Sequence, residues 1–383
     1  MKPAAIVLSA LFALGTASPA HAQIGAALGK LKKGADKAAD AKQKIDDWNI
    51  TDAEERQIGE QVSLKLRARF GVFQDEPVTK YVSLVGTALA QTSSRPGLDW
   101  KFIVLDTDGV NAYAAPGGFV HVTRGLLGLM KNEAELAGVL GHEITHVTAK
   151  HTINAIKQDK GISIGADAVG SKGLTANLIA QFAERAFGDI FDGKFSRGDE
   201  NKSDEIGVQL ANKLGYAPSG LADALKKVAD RNASRTEPNG FFVSHPAIKD
   251  RIANIEKQIK DGKMAGRATV QARYKQHITF DAKPMSEIAT DVEGAAGLAS
   301  GDKKKDDKKA EEKEKKEEPK KKGFGLSTIT GGGKQANSGQ QTASAGARGV
   351  GPDRDAKGGS NPSPISVKIT AAELEAFKKG IVA

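Results

Sequence analysis

Residues 141–146 read Gly-His-Glu-Ile-Thr-His and lie within a long helical pattern that Asn132 opens. Four residues advance an α-helix by about 400°, so His142 and His146 are expected on one face, one turn apart. Glu143 then lies about 100° around the helix from His142. Two imidazoles at this spacing with a carboxylate beside them are typical of a zinc site in which the glutamate transfers a proton.

A catalytic zinc site needs a third protein ligand and an open fourth position. The chain contains no cysteine, and a third histidine six residues beyond His146 is excluded because Thr152 stands there. On a continuous helix His151 would lie about 180° from His142, so we expect it to decorate the helix end. A carboxylate from a second helix remains as the source of the third ligand.

The second helix, predicted over about 199–214, offers that carboxylate. Glu200 is predicted to bind the metal, and Asp204, one turn on, to accept the free N–H of a metal-bound histidine. Small residues on the matching faces of the two helices, among them Gly138 and Gly207, would let the helices approach closely. The alternative is an exposed acidic helix start, since neighbouring residues are acidic as well.

The remaining patterns predict a mainly helical core with one small sheet. Further helices are predicted over 51–70, 78–90, 174–188, 218–230 and 246–260. Apolar alternation around 100–106, 112–115 and 119–123, broken by Gly and Pro turns, predicts a small antiparallel sheet. On the last strand His121 is expected at the surface. The predicted class is therefore α+β.

Composition excludes several classes of protein. With 383 residues and no cysteine, the chain is not a disulfide scaffold, a thiolate zinc site or a cysteine enzyme. No apolar run reaches the roughly 18 residues of a membrane-spanning helix. The charge of +9 comes from the ends, because residues 45–301 hold 31 basic against 33 acidic side chains. A nucleic-acid-binding fold should carry a basic face, so we expect no nucleic-acid partner.

The start of the chain resembles an export signal. A charged start, an apolar centre over 4–14 and the sequence Ala20-His21-Ala22 predict a signal peptide over 1–22 and a periplasmic mature protein. No cysteine follows the predicted cleavage site, so no lipid anchor is expected there. Residues 23–50 are predicted to form a basic Ala/Lys-rich linker or helix. This segment suits either contact with a membrane surface or a solvated spacer.

Composition also divides the rest of the chain. The predicted parts are a core domain over 51–265, an extension over 266–301, a disordered linker over 302–364 and a C-terminal piece over 365–383. Within the linker, 19 of the 21 residues from 302 to 322 are charged, which prevents burial of apolar area. The C-terminal piece alternates as a short strand and then opens a helix at the capping pair Thr370 and Glu373, closed by Gly380. Whether this piece docks on its own core or on a partner stays open.

Several motifs together make the chain similar to one family of zinc metalloendopeptidases. The family includes the type I CAAX prenyl protease and the bacterial heat-shock membrane protease, and the likeness is to its soluble periplasmic branch. The motifs lie at 111–118, 123–127, 135–137, 141–146, 196–197, 200–204 and 245–246, so the likeness runs from about Thr51 to Ile259. Two departures are Ser203, where the family usually has alanine, and a charged linker in place of a helical-repeat domain.

The resemblance implies a gluzincin-type domain with one zinc ion per chain. It implies that the metal is held by His142, His146 and Glu200, that Glu143 is the general base and that Asp204 stands behind a ligand. His245, on a loop closed by a proline, is implied as a further catalytic residue. That histidine either stabilises the oxyanion or occupies the open metal position and keeps the enzyme latent. The other possibility is a solvent-exposed histidine before a helix.

The resemblance further implies how a substrate binds. Residues 111–114 are expected to form an edge strand to which a substrate peptide adds as a further strand, giving sequence-tolerant recognition. Arg197 is expected either to orient a carboxylate of the site or to pair with Asp199. The predicted activity is hydrolysis of peptide bonds in unfolded or misassembled envelope proteins, with membrane-surface contact through the basic tails.

A second hypothesis keeps the fold but not the activity. In it the protein is a latent or non-catalytic quality-control protein that holds unfolded chains, as a chaperone does. Its metal site would be silenced by His245 or by the Gly/Ala-rich segment 161–187. A structural envelope protein recruited by its basic tails is a weaker third hypothesis, because the metal-ligand pattern would then have no task.

Overall fold

A computed structural model of the chain describes residues 50–158, 169–170, 173–233, 240–287 and 362–382. The predicted signal peptide, the basic segment after it and the linker up to residue 361 lie outside the described residues, as does part of the segment 161–187. Within the described ranges, no helix combines the length and the apolar character that crossing a membrane requires.

Helices make up most of the described structure. They are α1 (Asp52–Phe70), α2 (Glu76–Ala90), α3 (Arg124–Leu129), α4 (Glu133–Thr148), α5 (His151–Gln158), α6 (Ala176–Phe191), α7 (Arg197–Lys213), α8 (Gly220–Arg231), α9 (Phe241–Ser244), α10 (Ile248–Asp261), α11 (Gln271–His277) and α12 (Ala371–Val382). The strands are β1 (Lys101–Leu105), β2 (Ala112–Ala115), β3 (Phe119–Thr123), β4 (Val169–Gly170) and β5 (Gly173–Leu174). The predicted α+β class with a predominance of helix is confirmed.

Side-chain caps define where the two helices of the site begin. At the start of α4 the Glu135 backbone N–H donates to the Asn132 side chain over 3.0 Å, as predicted. At the start of α7, Ser196 and Asp199 bond to each other reciprocally, each side chain accepting from the other's backbone N–H. This capping box was not recognised in the sequence, and it makes α7 begin slightly before the predicted residue 199.

The three-stranded sheet differs from the prediction in the direction of one strand pair. Its order is β1-β3-β2, with β2 antiparallel to β3 as expected but β1 parallel to β3. The chain reverses after β1 and again at the 3₁₀ turn Pro116–Gly118, and β3 then inserts beside β1 instead of beyond β2. Two reversals restore the direction of β1, so an antiparallel sheet was the wrong prediction.

Apolar side chains cover both faces of this sheet. Phe102 and Val104 point into a core shared with α2, α4 and α8, whereas Ile103 and Leu105 point into a second core with α1 and α6. Consequently His121 on β3 is buried, and the expectation that it lies at the surface is wrong. That expectation assumed a sheet with one solvated face.

Helices α4 and α7 cross with their backbones almost in contact. A Cβ atom at Gly207 would lie 2.6 Å from the His142 backbone nitrogen, and one at Gly141 would lie 2.7 Å from the Gly207 carbonyl oxygen. Gly207 therefore has the predicted role. Gly138 does not, because it faces the start of α8, where a Cβ would lie 2.5 Å from the Leu221 nitrogen.

The C-terminal piece docks on the core of the same chain. Leu374, Phe377 and Ile381 of α12 are buried in the core shared with α2. The Thr370–Glu373 cap is present, but residues 362–370 form no strand, and α12 continues through Gly380 to Val382. The glycine allows close packing instead of ending the helix, since a Cβ there would lie 2.8 Å from an Arg273 nitrogen.

Candidate metal centre

Helix α4 presents two imidazoles side by side in the interior. The Nε2 atoms of His142 and His146 lie 3.1 Å apart, and both side chains are fully buried. This is the arrangement that a four-residue spacing on a helix predicts. Neither imidazole faces solvent, and the Nε2 atoms of both rings face a common position in the interior.

Glu200 and His245 complete a cluster around that position. Glu200 Oε1 lies 3.3 Å from His146 Nε2, and its Oε2 lies 3.7 Å from His142 Nε2. His245 Nδ1 lies 3.3 Å from His142 Nε2 and 3.1 Å from Glu200 Oε2. One ligand atom from each of the four residues lies within 4.8 Å of all the others, and all four residues are buried.

The chemistry of these four donors fits a divalent metal. Burial, followed by the charge of Arg251, lowers the pKa of His142 to about 3, which keeps its imidazole neutral. Burial raises the pKa of Glu200, but the imidazoles of His245 and His146 lower it more, to well below the usual range. A neutral imidazole and an ionised carboxylate are the forms that bind metal. Nitrogen and oxygen donors without thiolate match zinc.

Glu143 differs from the rest of the centre in having no hydrogen bond. Both of its carboxylate oxygens are buried without a hydrogen-bond partner among the described residues. Burial raises the pKa of this carboxyl to about 8. One titratable neighbour is His245, whose Nε2 lies 3.5 Å from Glu143 Oε1. A buried carboxyl without a partner marks a candidate for proton transfer rather than a structural group.

Asp204 lies behind His142, as the sequence predicted for a residue one turn after Glu200. Its Oδ1 lies 2.9 Å from His142 Nδ1. Arg251 of α10 holds this carboxylate through two bonds, of 2.7 Å from Nε and 2.6 Å from Nη2, and reaches Glu200 Oε2 over 2.7 Å from Nη1. One guanidinium therefore fixes two acidic residues of α7, Glu200 and Asp204.

Arg251 was missed in the sequence, where Arg197 was considered for this role. Arg197 is exposed, and the guanidinium that contacts Glu200 and Asp204 belongs to Arg251. A signal was present in the sequence, because Arg251 shares its helical stripe with the buried residues Ile248 and Ile255. A charged residue on an otherwise apolar helix face indicates a buried partner.

The loop that carries His245 is fixed to the start of strand β2. The Phe241 N–H donates to the Val110 carbonyl over 2.7 Å, and the Ser244 hydroxyl donates to Asn111 Oδ1 over 2.9 Å. The Phe241 ring also stacks on the His245 imidazole, with 4.3 Å between ring centroids. In the part of the chain that is described, β2 pairs only with β3 and thus lies at the sheet edge, packed beside α4.

His151 is part of the centre, which corrects the expectation that it decorates a helix end. Its Nδ1 lies 3.2 Å from His146 Nδ1, and the side chain is buried. The prediction assumed a continuous helix, but α4 ends at Thr148 and Lys150 takes a left-handed conformation with φ of 56°. The chain therefore turns and brings His151 back against the helix that it left.

Comparisons with known proteins agree with this geometry. The family model that matches residues 77–259 is Peptidase family M48. The chain is 28% identical over 211 residues to the Beta-barrel assembly-enhancing protease of Yersinia pestis, covering 52% of this chain and 43% of that protein. It is 31% identical over 188 residues to Metalloprotease YcaL of Escherichia coli, covering 48% of this chain and 71% of that protein.

A third relative, Metalloprotease LoiP of Escherichia coli, is 23% identical over 214 residues, which cover 81% of its length. The match to the first relative spans less than half of that protein. The match to Metalloprotease YcaL covers a larger share of that protein at higher identity, and the family model spans both metal-site helices. The resemblance seen in the motifs is therefore confirmed, and the chain belongs to Peptidase family M48, a family of zinc metalloendopeptidases.

Proposed function

We propose that this protein is a zinc-dependent endopeptidase of the cell envelope that hydrolyses peptide bonds in unfolded or misassembled proteins. The observation that carries the proposal is the buried cluster of His142, His146, Glu200 and His245, with donor atoms within 4.8 Å of one another. A buried carboxyl without a hydrogen-bond partner, that of Glu143, lies beside the cluster.

The metal would be held by His142, His146 and Glu200, with Asp204 and Arg251 fixing the orientation of two of these ligands. Zinc bound there supplies a Lewis acid that polarises the scissile carbonyl and makes a water molecule acidic. Glu143 takes a proton from that water and returns it to the leaving amine. Its oxygens are available for this exchange because no described residue donates to them.

The substrate peptide is proposed to add along β2. Main-chain hydrogen bonds to an edge strand give affinity with little dependence on side-chain identity, which suits unfolded proteins of varied sequence. The link from Asn111 through Ser244 to the His245 loop would then join peptide binding to the metal centre.

The envelope location rests on the predicted signal peptide and is supported by one relative's name, Beta-barrel assembly-enhancing protease. That name refers to the Yersinia pestis protein, and its extension to this chain is part of our proposal. The basic segment after the signal peptide is proposed to contact the membrane surface by charge.

The proposal is tested by degradation of casein, as an unfolded substrate, by the chain from residue 23 onward in the presence of zinc. Glu143→Gln is the matched variant, because it keeps the side-chain size and removes the proton acceptor. We expect cleavage by the parent and at least a hundredfold slower cleavage by the variant. Equal cleavage by both proteins would remove Glu143 from the chemistry.

A second variant separates metal binding from proton transfer. Glu200→Gln is expected to lose both bound zinc and activity, whereas Glu143→Gln is expected to keep zinc. The measurement is the zinc content of each purified protein by atomic absorption. A Glu200→Gln protein that retains one zinc per chain would exclude Glu200 from the ligand set.

The position of His245 favours a second candidate function, that of a latent enzyme or a non-catalytic binding protein. With its Nδ1 3.1 Å from Glu200, His245 is placed to occupy the metal position that a substrate would need. His245→Ala is expected to accelerate casein cleavage if the enzyme is latent. Slower cleavage would instead assign His245 to transition-state stabilisation, and no cleavage before or after the change would favour a pure binding role.

A further inference from the structure

The two histidines of α4 are supported in different ways. Behind His142 stands a carboxylate, since Asp204 Oδ1 lies 2.9 Å from its Nδ1. Behind His146 stands a third imidazole, since His151 Nδ1 lies 3.2 Å from its Nδ1. The two rings meet nearly at right angles, at 85°, with 4.9 Å between centroids. The two Nδ1 atoms are therefore in contact without stacking of the rings.

The tautomers of His146 and His151 follow from which ring nitrogen of His146 faces the metal cluster. The Nε2 atom of His146 faces Glu200 Oε1 at 3.3 Å and His142 Nε2 at 3.1 Å, so a metal would take the Nε2 lone pair. The proton of a neutral imidazole is then on Nδ1. It is donated to His151 Nδ1, which must accept, and the proton of His151 is therefore on Nε2.

The surroundings of His151 fix its ring in this orientation. The Ser203 Oγ atom lies 3.4 Å from the same Nδ1, and the Phe195 ring packs 4.4 Å from the His146 ring and 6.5 Å from that of His151. The Asp199 carboxylate lies 3.5 Å from His151 Nε2, which makes no hydrogen bond among the described residues. Ser203 and Phe195 thus adjoin the ring, and its Nδ1 is directed at His146.

We propose that His151 is a positioning residue that holds His146 in its metal-binding orientation by accepting the His146 Nδ1 proton. The inference rests on the proposed assignment of His146 as a ligand. It gives His151 a role that neither the family match nor the sequence pattern assigns. Residues behind metal ligands affect metal affinity about 10- to 100-fold when they are changed, because they fix the tautomer and the ring orientation of the ligand.

The test compares zinc affinity in the parent, His151→Asn and His151→Phe, by competition with a chromophoric chelator. Asparagine can place an amide oxygen near the position of Nδ1, whereas phenylalanine keeps the ring but offers no acceptor. We expect zinc affinity about 10- to 100-fold weaker for His151→Phe, and largely restored for His151→Asn. Asn154→Ala is the matched control, because it changes a residue of the same helix α5 whose side chain donates to the Ala149 carbonyl over 3.3 Å, and its affinity is expected to stay within about threefold of the parent.

A second readout separates positioning from a packing role. The melting temperature of each protein is measured without metal and with saturating Co²⁺, together with the visible spectrum of the Co²⁺ form. A positioning role predicts that His151→Phe changes the spectrum and reduces the metal-dependent rise in melting temperature. A packing role predicts an equal loss with and without metal and an unchanged spectrum, which would overturn the inference.

The outcomes also separate this inference from the proposed function. If the parent binds zinc and His151→Phe binds it equally tightly, the positioning role is wrong while the ligand assignment stands. If the parent binds no zinc, or if His146→Ala binds it as the parent does, the ligand assignment fails and the role of His151 falls with it.

Discussion

Two of the three glutamates that helix α4 buries, Glu133 and Glu143, lie far apart along the helix and have opposite surroundings. Glu133, at the first turn, accepts from the hydroxyl groups of Tyr81 at 2.8 Å and Tyr216 at 2.5 Å and from the Arg273 guanidinium. Glu143, beside the metal cluster, has no hydrogen bond to either oxygen among the described residues. Both side chains are fully buried, so burial alone does not distinguish them.

The difference indicates that the Glu143 end of the helix takes part in the reaction, whereas the Glu133 end stabilises the packing. A buried carboxylate with every oxygen satisfied stabilises the packing around it, whereas one left without donors costs stability and persists where a reaction uses it. The Glu133 end is also linked to the C-terminal helix, because Arg273 lies over the Phe377 ring at 4.1 Å and donates to the Phe377 carbonyl. Docking of α12 thus belongs to the structural end of α4.

The variant Glu143→Gln gives the strongest test of how the two ends of α4 are assigned. Beside the loss of cleavage of at least a hundredfold, we expect the free energy of unfolding of the metal-free protein to stay equal or rise. Because burial raises the pKa of this carboxyl to about 8, folding at neutral pH requires that it take up a proton, a cost that a neutral amide does not have. Urea unfolding followed by circular dichroism measures this, and a clear loss of stability would mean that Glu143 has a structural partner.

Glu133→Gln should give the reverse result. Removing the charge leaves Arg273 opposite a neutral amide in a mostly buried site, so the free energy of unfolding should fall by about 3 kcal/mol. Cleavage per folded molecule should remain close to that of the parent, since Glu133 lies far along the helix from the cluster. The same unfolding and casein assays measure both quantities. A stable protein with impaired cleavage would contradict the division between the two ends.

Local spacing explains why so much of the site could be predicted. His142 and His146 lie one turn apart on one helix, and Glu200 and Asp204 do so on another, so a fixed rise and rotation per residue place them. The sequence also fixes the helix starts through short-range caps such as Asn132 with Glu135. These features need no knowledge of how distant parts of the chain meet.

The features that the sequence did not reveal depend on tertiary contact or on one unusual backbone conformation. Arg251 reaches Glu200 and Asp204 from a different helix, and no spacing rule connects them. His151 reaches His146 only because Lys150 takes a left-handed conformation, which interrupts the helix that the prediction assumed to continue. The parallel pairing of β1 with β3 likewise depends on which strand inserts where, not on the alternation within either strand.

His121 extends the comparison to a buried histidine outside the metal cluster. Its Nε2 accepts from the Ser63 hydroxyl at 2.9 Å, and its Nδ1 lies 3.4 Å from the Tyr113 carbonyl oxygen. Burial lowers its pKa to about 3, with a further lowering by the charge of Arg67. The imidazole is therefore neutral in the folded protein at pH values where an unfolded chain would protonate it.

The sign of the pH effect follows from this difference. Between pH 6.5 and 3 the unfolded chain binds a proton that the folded protein does not, so acid favours unfolding in that window. The contribution of His121 to this loss is about 2 kcal/mol by pH 5. His121→Gln, which keeps an acceptor for Ser63, should flatten the pH dependence of the free energy of unfolding by that amount relative to the parent. Equal slopes would show that His121 is protonated in the folded state.

Tyr81→Phe gives the smallest effect and resolves how the Glu133 carboxylate is shared. Tyr81 donates to Glu133 Oε2, which also accepts from Arg273 Nε at 2.7 Å, so that oxygen keeps one charged donor after the change. The Tyr81 ring keeps its stacking on His277, with 4.3 Å between centroids. The free energy of unfolding should therefore fall by only about 1 kcal/mol, with cleavage unaltered. A fall as large as that of Glu133→Gln would mean that Arg273 does not hold the carboxylate without the tyrosine, and the Glu133 end would then be a network that acts as one unit.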